Sequence, residues 1–163
     1  MTRKFSLFLL MLGIVPLVQE FGLSRLSLFG VSPDAITIYL AFIALIAGQR
    51  SSTSFGFASG IIIGILSGNI GLNMLVRTIE GFIAGYFHIP DSSHSTTKQK
   101  TRRIYGAVVM AGFCGNAVFA IGYNPLALSP LYRIAVLGVL ESFLTLILAV
   151  ILNWLFLRKS LAD

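Results

Sequence analysis

Residues 51–90 read SSTSFGFASGIIIGILSGNIGLNMLVRTIEGFIAGYFHIP, and the fold depends on how that run divides. Its charges are Arg77 and Glu80. It is too long for one helical crossing, because about 20 apolar residues already span the roughly 30 Å of hydrocarbon in a bilayer. Ser67-Gly68-Asn69-Ile70-Gly71 sits in the middle and is a turn signal. The run is therefore expected to form an antiparallel helical hairpin of spans 53–68 and 72–90.

On either side of this hairpin the charged positions leave further long uncharged intervals. Four more spans fill them, at 5–23, 33–48, 104–123 and 131–157. The first follows Arg3 and Lys4, flanks that a signal peptide also carries, but no Ala-x-Ala cleavage site follows and the rest of the chain is itself apolar. It is read as an uncleaved helix. At the second, Ser32 is expected as N-cap, Pro33 as the first helical position and Asp34 as a favourable charge at the positive end of the dipole. Asn124-Pro125 through Ser129-Pro130 is expected as a loop. The last span ends at Arg158 and Lys159.

Composition agrees with six crossings. The chain has 163 residues, 56% of them hydrophobic and 11% charged, with mean hydropathy +0.88. A soluble domain carries about 25% charged residues, so this is expected to be an all-α polytopic membrane protein in one domain, 1–163. The stretches between spans do not exceed about 15 residues, too few to fold outside the bilayer. The net charge of +6 does not point to nucleic acid, because hydrophobic runs separate the basic residues. One cysteine excludes a disulfide framework, and no Cys or His pair has metal-ligand spacing. No cofactor and no metal are expected.

The basic residues set the orientation instead, since cytoplasmic loops carry the excess of Lys and Arg. With the N-terminus inside, Arg3, Lys4, Arg50, Lys98, Lys100, Arg102, Arg103, Arg158 and Lys159 all fall inside. Arg25 and Arg133 fall outside, and Arg77 lies within a span. Both termini are thus expected in the cytoplasm. The polar segment 91–103, with Lys98, Lys100, Arg102 and Arg103, is expected as a cytoplasmic basic loop that anchors topology, attracts anionic lipid or docks a cytoplasmic partner.

Two patterns are candidates for function. Gly56, Gly60, Gly64 and Gly68 recur every four residues and form one glycine groove, repeated by Gly81 and Gly85 on the next helix; such grooves admit close helix approach. The groove serves either internal packing or contact with a second protein. Arg77 and Glu80 are three residues apart on one face, and Arg133 precedes Glu141 in the last span. Charges in the bilayer pair with one another or face a protein or water interior. With Asn116 they can form a polar network tying spans four and six, a contact to a partner helix, or a proton or substrate site. Two carboxylates without a nucleophile or metal do not make a catalyst, so enzyme activity is not expected. His88 and His94 are read as interfacial and loop residues, Cys114 as packing, and Asn153 as a cross-helix hydrogen-bonding residue.

Ser32-Pro33-Asp34, then Ser54-Phe55-Gly56-Phe57-Ala58-Ser59-Gly60 through Ser67-Gly68-Asn69-Ile70-Gly71-Leu72-Asn73, and a glycine-rich helix ending Gly81-Phe82-Ile83-Ala84-Gly85-Tyr86, together resemble MreD, the small multi-pass rod shape-determining proteins of bacteria. The specific likeness lies within about residues 32–86. Members commonly place an Asp in the third helix where this chain has Gly64, so no role of that carboxylate carries over. The resemblance implies a non-enzymatic scaffold of the cell-wall elongation machinery in the bacterial cytoplasmic membrane. Its partner would be an MreC-like bitopic protein and, indirectly, the MreB filament, a class-B penicillin-binding protein and a RodA-like polymerase; a homodimer is also open. The resemblance further implies a six-helix fold like that of the substrate-capture subunits of energy-coupling-factor transporters. Such a subunit is the alternative function, with a small permease a third. The short outer loops 24–31 and 68–73 argue against a lidded pocket. On the scaffold reading, a partner helix docks along Gly56, Gly60, Gly64 and Gly68 or beside the Arg77–Glu80 face.

Overall fold

The computed structural model describes residues 2–28, 30–90, 96–124 and 127–157, and within them the side chains from Phe5 to Leu155. Residues 91–95 with His94, Pro125, Arg158 and Lys159, and the side chains of Arg3 and Lys4, lie outside the described residues. The described chain is all-α, with extended pairing limited to an isolated bridge between Leu28 and Val31. Helix α1 covers Thr2–Phe21 and ends in a 3₁₀ turn, Leu23–Arg25. Helix α2 covers Ala35–Ser67, α3 Ile70–Ala84 with a 3₁₀ turn Gly85–Phe87, and α4 Thr97–Gly122. Helix α5 runs over 130–157, α-helical at Pro130–Tyr132 and Val139–Leu152 and with π-type turns at Arg133–Gly138 and Asn153–Leu157. Among the described residues four stretches are long and apolar enough to cross a membrane: Phe5–Arg25, Ala35–Ser67, Thr97–Gly122 and Pro130–Leu155.

Helix α2 is not straight. Gly48 has φ 81° and ψ 179°, a region that essentially only glycine occupies, and the chain reverses there. In a straight helix residues 12 apart are about 18 Å apart, yet the Ser52 hydroxyl donates to the Leu40 carbonyl at 2.9 Å. The rings of Tyr39 and Phe55 likewise meet at 6.3 Å between centroids. The two arms, 35–47 and 49–67, are thus antiparallel neighbours. His88 closes the reversal, its Nδ1–H donating to the carbonyls of Ala44 and Leu45 at 3.1 Å each, groups that the broken helix leaves without an intrahelical donor.

The first arm is only about 20 Å long at 1.5 Å per residue, short for a lipid-facing span, and it is the centre of the molecule. Ile36, Thr37, Leu40 and Ile43 are fully buried. Apolar side chains surround it in two groups, one with Phe8, Phe55 and Ile63, the other with Ala84, Ile104, Val108 and Ala149. By contrast α1 and α5 turn Leu10, Ile14, Leu17, Phe143, Ile147 and Trp154 outward, as helices at the rim of a bundle in lipid do.

The glycines determine how closely the second arm meets α3. A Cβ at Gly60 would lie 2.6 Å from Met74 Cα, one at Gly56 3.0 Å from the Arg77 carbonyl carbon, and one at Gly64 3.2 Å from that of Ile70. From the other side, Gly81 faces Ser52 and Thr53, and Gly85 faces Gln49. Backbone lies on backbone along the whole hairpin. Gly68 is not part of the groove: it caps the arm with φ 79° and has open space around it.

Several boundaries differ from expectation. Asp34, not Ser32, is the N-cap, its side chain accepting from the amides of Ile36 and Thr37, so Pro33 stands outside the helix. The span expected over 53–68 begins directly after Gly48, because Arg50 is tolerated at a helix end. The span expected over 72–90 is helical only from Ile70 to Ala84 and tightens at Gly85–Phe87. The segment expected as loop 91–103 is helical from Thr97. Thr96 and Gln99 form a capping box, with Thr96 Oγ1 accepting from the Gln99 amide at 3.4 Å and Gln99 Oε1 from the Thr96 amide at 3.0 Å. Lys98, Lys100, Arg102 and Arg103 therefore stand on the first turns of α4.

Candidate functional site

Asp34 is where the polar centre starts. Its Oδ1 accepts from Ile36 N at 2.9 Å, the ordinary bond of a helix N-cap. Its Oδ2 accepts from the Thr37 hydroxyl at 2.9 Å and from Arg77 Nη1. Its own amide donates to Thr145 Oγ1 on α5 at 2.9 Å. One residue thus caps the central arm, pairs with α3 and is held by α5.

Arg77 bridges two acids. Its Nη1 also donates to Glu80 Oε2 at 2.8 Å, and the side chains of Arg77, Asp34 and Glu80 are 13%, 7% and 1% exposed. Spacing of three on a helix puts Arg77 and Glu80 on one face. The close approach of α3 at Gly56 and Gly60 brings that face to the start of the first arm. Arg77 Nε is buried without a hydrogen-bond partner. Glu80 lies against Gly115 of α4, where a Cβ would stand 2.6 Å from its Cγ, so a glycine there is what leaves room for the carboxylate. One guanidinium serves two buried carboxylates, so a proton or a second positive charge is needed to balance the site in a low-dielectric interior.

This centre is the floor of a cavity of about 420 Å³. Arg77, Glu80, Asn116, Arg133 and Glu141, the residues expected to form an intramembrane network, all line it. Arg133 donates from Nη1 to the Ala120 carbonyl at the end of α4. Glu141 makes no hydrogen bond among the described residues. Gln19 closes the α1 side: Nε2 donates to the Pro33 carbonyl at 3.2 Å and Oε1 accepts from the Ala35 amide at 2.8 Å. The walls come from residues 19–34, 63–80, 116–123 and 133–141, which is the end of the bundle where α1 finishes and α5 starts. The reversal at Gly48 and the basic start of α4 are at the opposite end.

Of the two uses open to the glycine groove, internal packing is the one seen: α3 of the same chain fills it at Gly56, Gly60 and Gly64, and the partner helix expected along it has no room there. The cavity is walled by helix ends and the short segments beside them, with no long loop as a lid among the described residues. Asn153 is elsewhere, donating from Nδ2 to the Tyr105 hydroxyl at 2.9 Å. Arg103 donates from Nη1 to the His88 carbonyl at 2.8 Å, tying the basic start of α4 to the chain leaving α3. Cys114 is half-buried on α4.

Sequence reasoning missed Asp34, Thr37, Thr145, Gln19 and Gly115 as parts of the site. For Asp34 the signal was present: an acid at a helix start on the same end of the bundle as Arg77. Among the described residues no three of His, Cys, Asp or Glu gather closely enough to hold a metal ion. What the arrangement offers is a polar chamber with fixed charges. Comparison with family models, with characterised proteins and with solved structures finds no match to this chain.

Proposed function

We propose that this chain is a non-enzymatic membrane scaffold of the MreD type, crossing the bacterial cytoplasmic membrane six times with both termini inside. The observation that carries the reading is that the residues behind the resemblance are those on which the fold depends. Asp34 caps the central arm, Gly56 and Gly60 set the approach of α3, and Gly68 turns the hairpin in left-handed geometry. Six crossings follow if each arm of α2 counts as one, the first shielded from lipid by its neighbours. The clustering of Lys98, Lys100, Arg102 and Arg103 at the end away from the cavity supports placing that end inside.

With the glycine groove occupied, the partner surface moves to the rim. The outward faces of α1 and α5 are broad and apolar, and the single transmembrane helix of an MreC-like protein would lie against one of them. Through it the scaffold would reach the MreB filament, the class-B penicillin-binding protein and the RodA-like polymerase. The test is purification in mild detergent from native cells, with identification of what accompanies the protein. MreC-like protein in the eluate supports the scaffold. A pair of ATPases with a coupling membrane subunit would replace it with the second reading, a substrate-capture subunit, which the cavity favours. A homodimer and nothing else would leave the small permease.

A further inference from the structure

The charged lining of the cavity is unbalanced. Glu20, Asp34, Glu80 and Glu141 face Arg77 and Arg133, four carboxylates against two guanidinium groups. Asp34 is saturated by its four donors and Glu80 shares Arg77 with it. Glu141 has no donor among the described residues and faces the open volume. A carboxylate half-buried at a cavity wall with no hydrogen-bond donor is balanced either by a proton or by a cation seated against it, and the open volume in front of Glu141 leaves room for the cation. A bare metal ion does not suit it. No group of three metal-ligating side chains is gathered among the described residues, and about 420 Å³ is in the range of small organic ligands, roughly 300–1,000 Å³.

We propose that this cavity binds a small water-soluble organic cation, with a primary ammonium or guanidinium group against Glu141. The neighbouring amides and hydroxyls, Asn116 and Tyr123 among them, offer hydrogen bonds to the rest of a polar guest. The π-type turns at Arg133–Gly138 agree with this, because such turns recur where a helix is reshaped around a functional site, and Arg133, Leu137 and Gly138 all line the cavity. The proposal rests on the cavity alone and is independent of whether the scaffold or the capture subunit is the right reading.

The test uses the purified full chain in nanodiscs of uncharged phosphatidylcholine, with radiolabelled putrescine as probe and glutamate as the anionic control, in equilibrium dialysis. Saturable binding of one putrescine per chain, competed by agmatine and not by glutamate, is expected. Glu141→Gln should weaken it by about tenfold or more, the loss of one charged hydrogen bond. Arg133→Gln removes a positive charge from the same wall and should tighten it. That opposite sign keeps the test decisive if Glu141→Gln does not fold. No saturable putrescine binding, binding of glutamate instead, or an unchanged affinity in folded Glu141→Gln together with no tightening in Arg133→Gln would each overturn the proposal.

Discussion

Replacing Gly60 by alanine tests the close approach of the second arm of α2 to α3. The added Cβ would stand 2.6 Å from Met74 Cα, 2.7 Å from Asn73 O and 2.9 Å from Met74 N, all backbone atoms that no rotamer change can move. Carbon contacts relax at about 3.5–4.0 Å, so α3 has to withdraw by roughly 1 Å. Overpacking of this kind costs about 1–3 kcal/mol. Alanine's better helix propensity offsets about 1 kcal/mol, leaving a net loss of roughly 0–2 kcal/mol at Gly60 against a gain of about 1 kcal/mol where no clash opposes it. Gly13 on α1 is the internal control, since nothing lies within 4 Å of an added Cβ there; Gly13→Ala gains the propensity without the clash and should be neutral or more stable. The assay is equilibrium unfolding by SDS in mixed micelles, followed by circular dichroism, on both variants side by side. Equal midpoints for Gly60→Ala and Gly13→Ala would refute the close approach. Gly60→Leu should lower the yield of folded protein instead of selectively releasing a partner, since the groove is already occupied.

The other predictions concern charge and turn chemistry. Arg77→Met leaves Asp34 and Glu80 buried without their counterion and should cost about 3–5 kcal/mol in the same unfolding assay. Adding Glu80→Gln should recover part of that loss, and strict additivity would show that the two do not interact. Gly48→Ala meets only ordinary contact with the His88 ring, at 3.7 Å, so its cost is purely conformational, about 1–3 kcal/mol; a wild-type midpoint would contradict the reversal at that residue. Changing Lys98, Lys100, Arg102 and Arg103 to glutamate should give mixed orientation. Labelling by an impermeant thiol reagent of Gly71→Cys in a Cys114→Ala background reads it, and unchanged labelling from outside would remove the topological role of those charges.

Helix existence was legible because it rests on local physics. Uncharged runs and a Ser-Gly-Asn turn place the hairpin at 67–70 within a few residues, and the glycine repeat marks a groove at Gly56, Gly60 and Gly64, while Gly68 belongs to the turn. What filled the groove was not legible, since any neighbouring backbone fits it. The start of α4 was misread because a run of Lys and Arg looks like a solvated loop, while the Thr96–Gln99 capping box that starts the helix lies inside that polar stretch. Asp34 was half read. Its local role near a helix start accounted for an acid after Pro33, and nothing local announces a partner 43 residues away on another helix. The cavity is less legible still, as it is a volume left among helix ends and depends on packing angles that no single segment encodes.

The pairing of Asp34 with Arg77 also has a consequence for biogenesis. A ribosome adds about 5–20 residues per second, so the 43 residues between them take roughly 2–9 s to make. Throughout that interval the acid has left the ribosome and its counterion has not. The first arm cannot simply enter lipid during the wait, because its start would carry an unpaired charge into the bilayer. Thr145, which secures the Asp34 amide, lies 111 residues downstream and follows later still. The nascent chain is therefore expected to linger at the insertion machinery with its future centre exposed, and to be released to lipid only once α3 arrives.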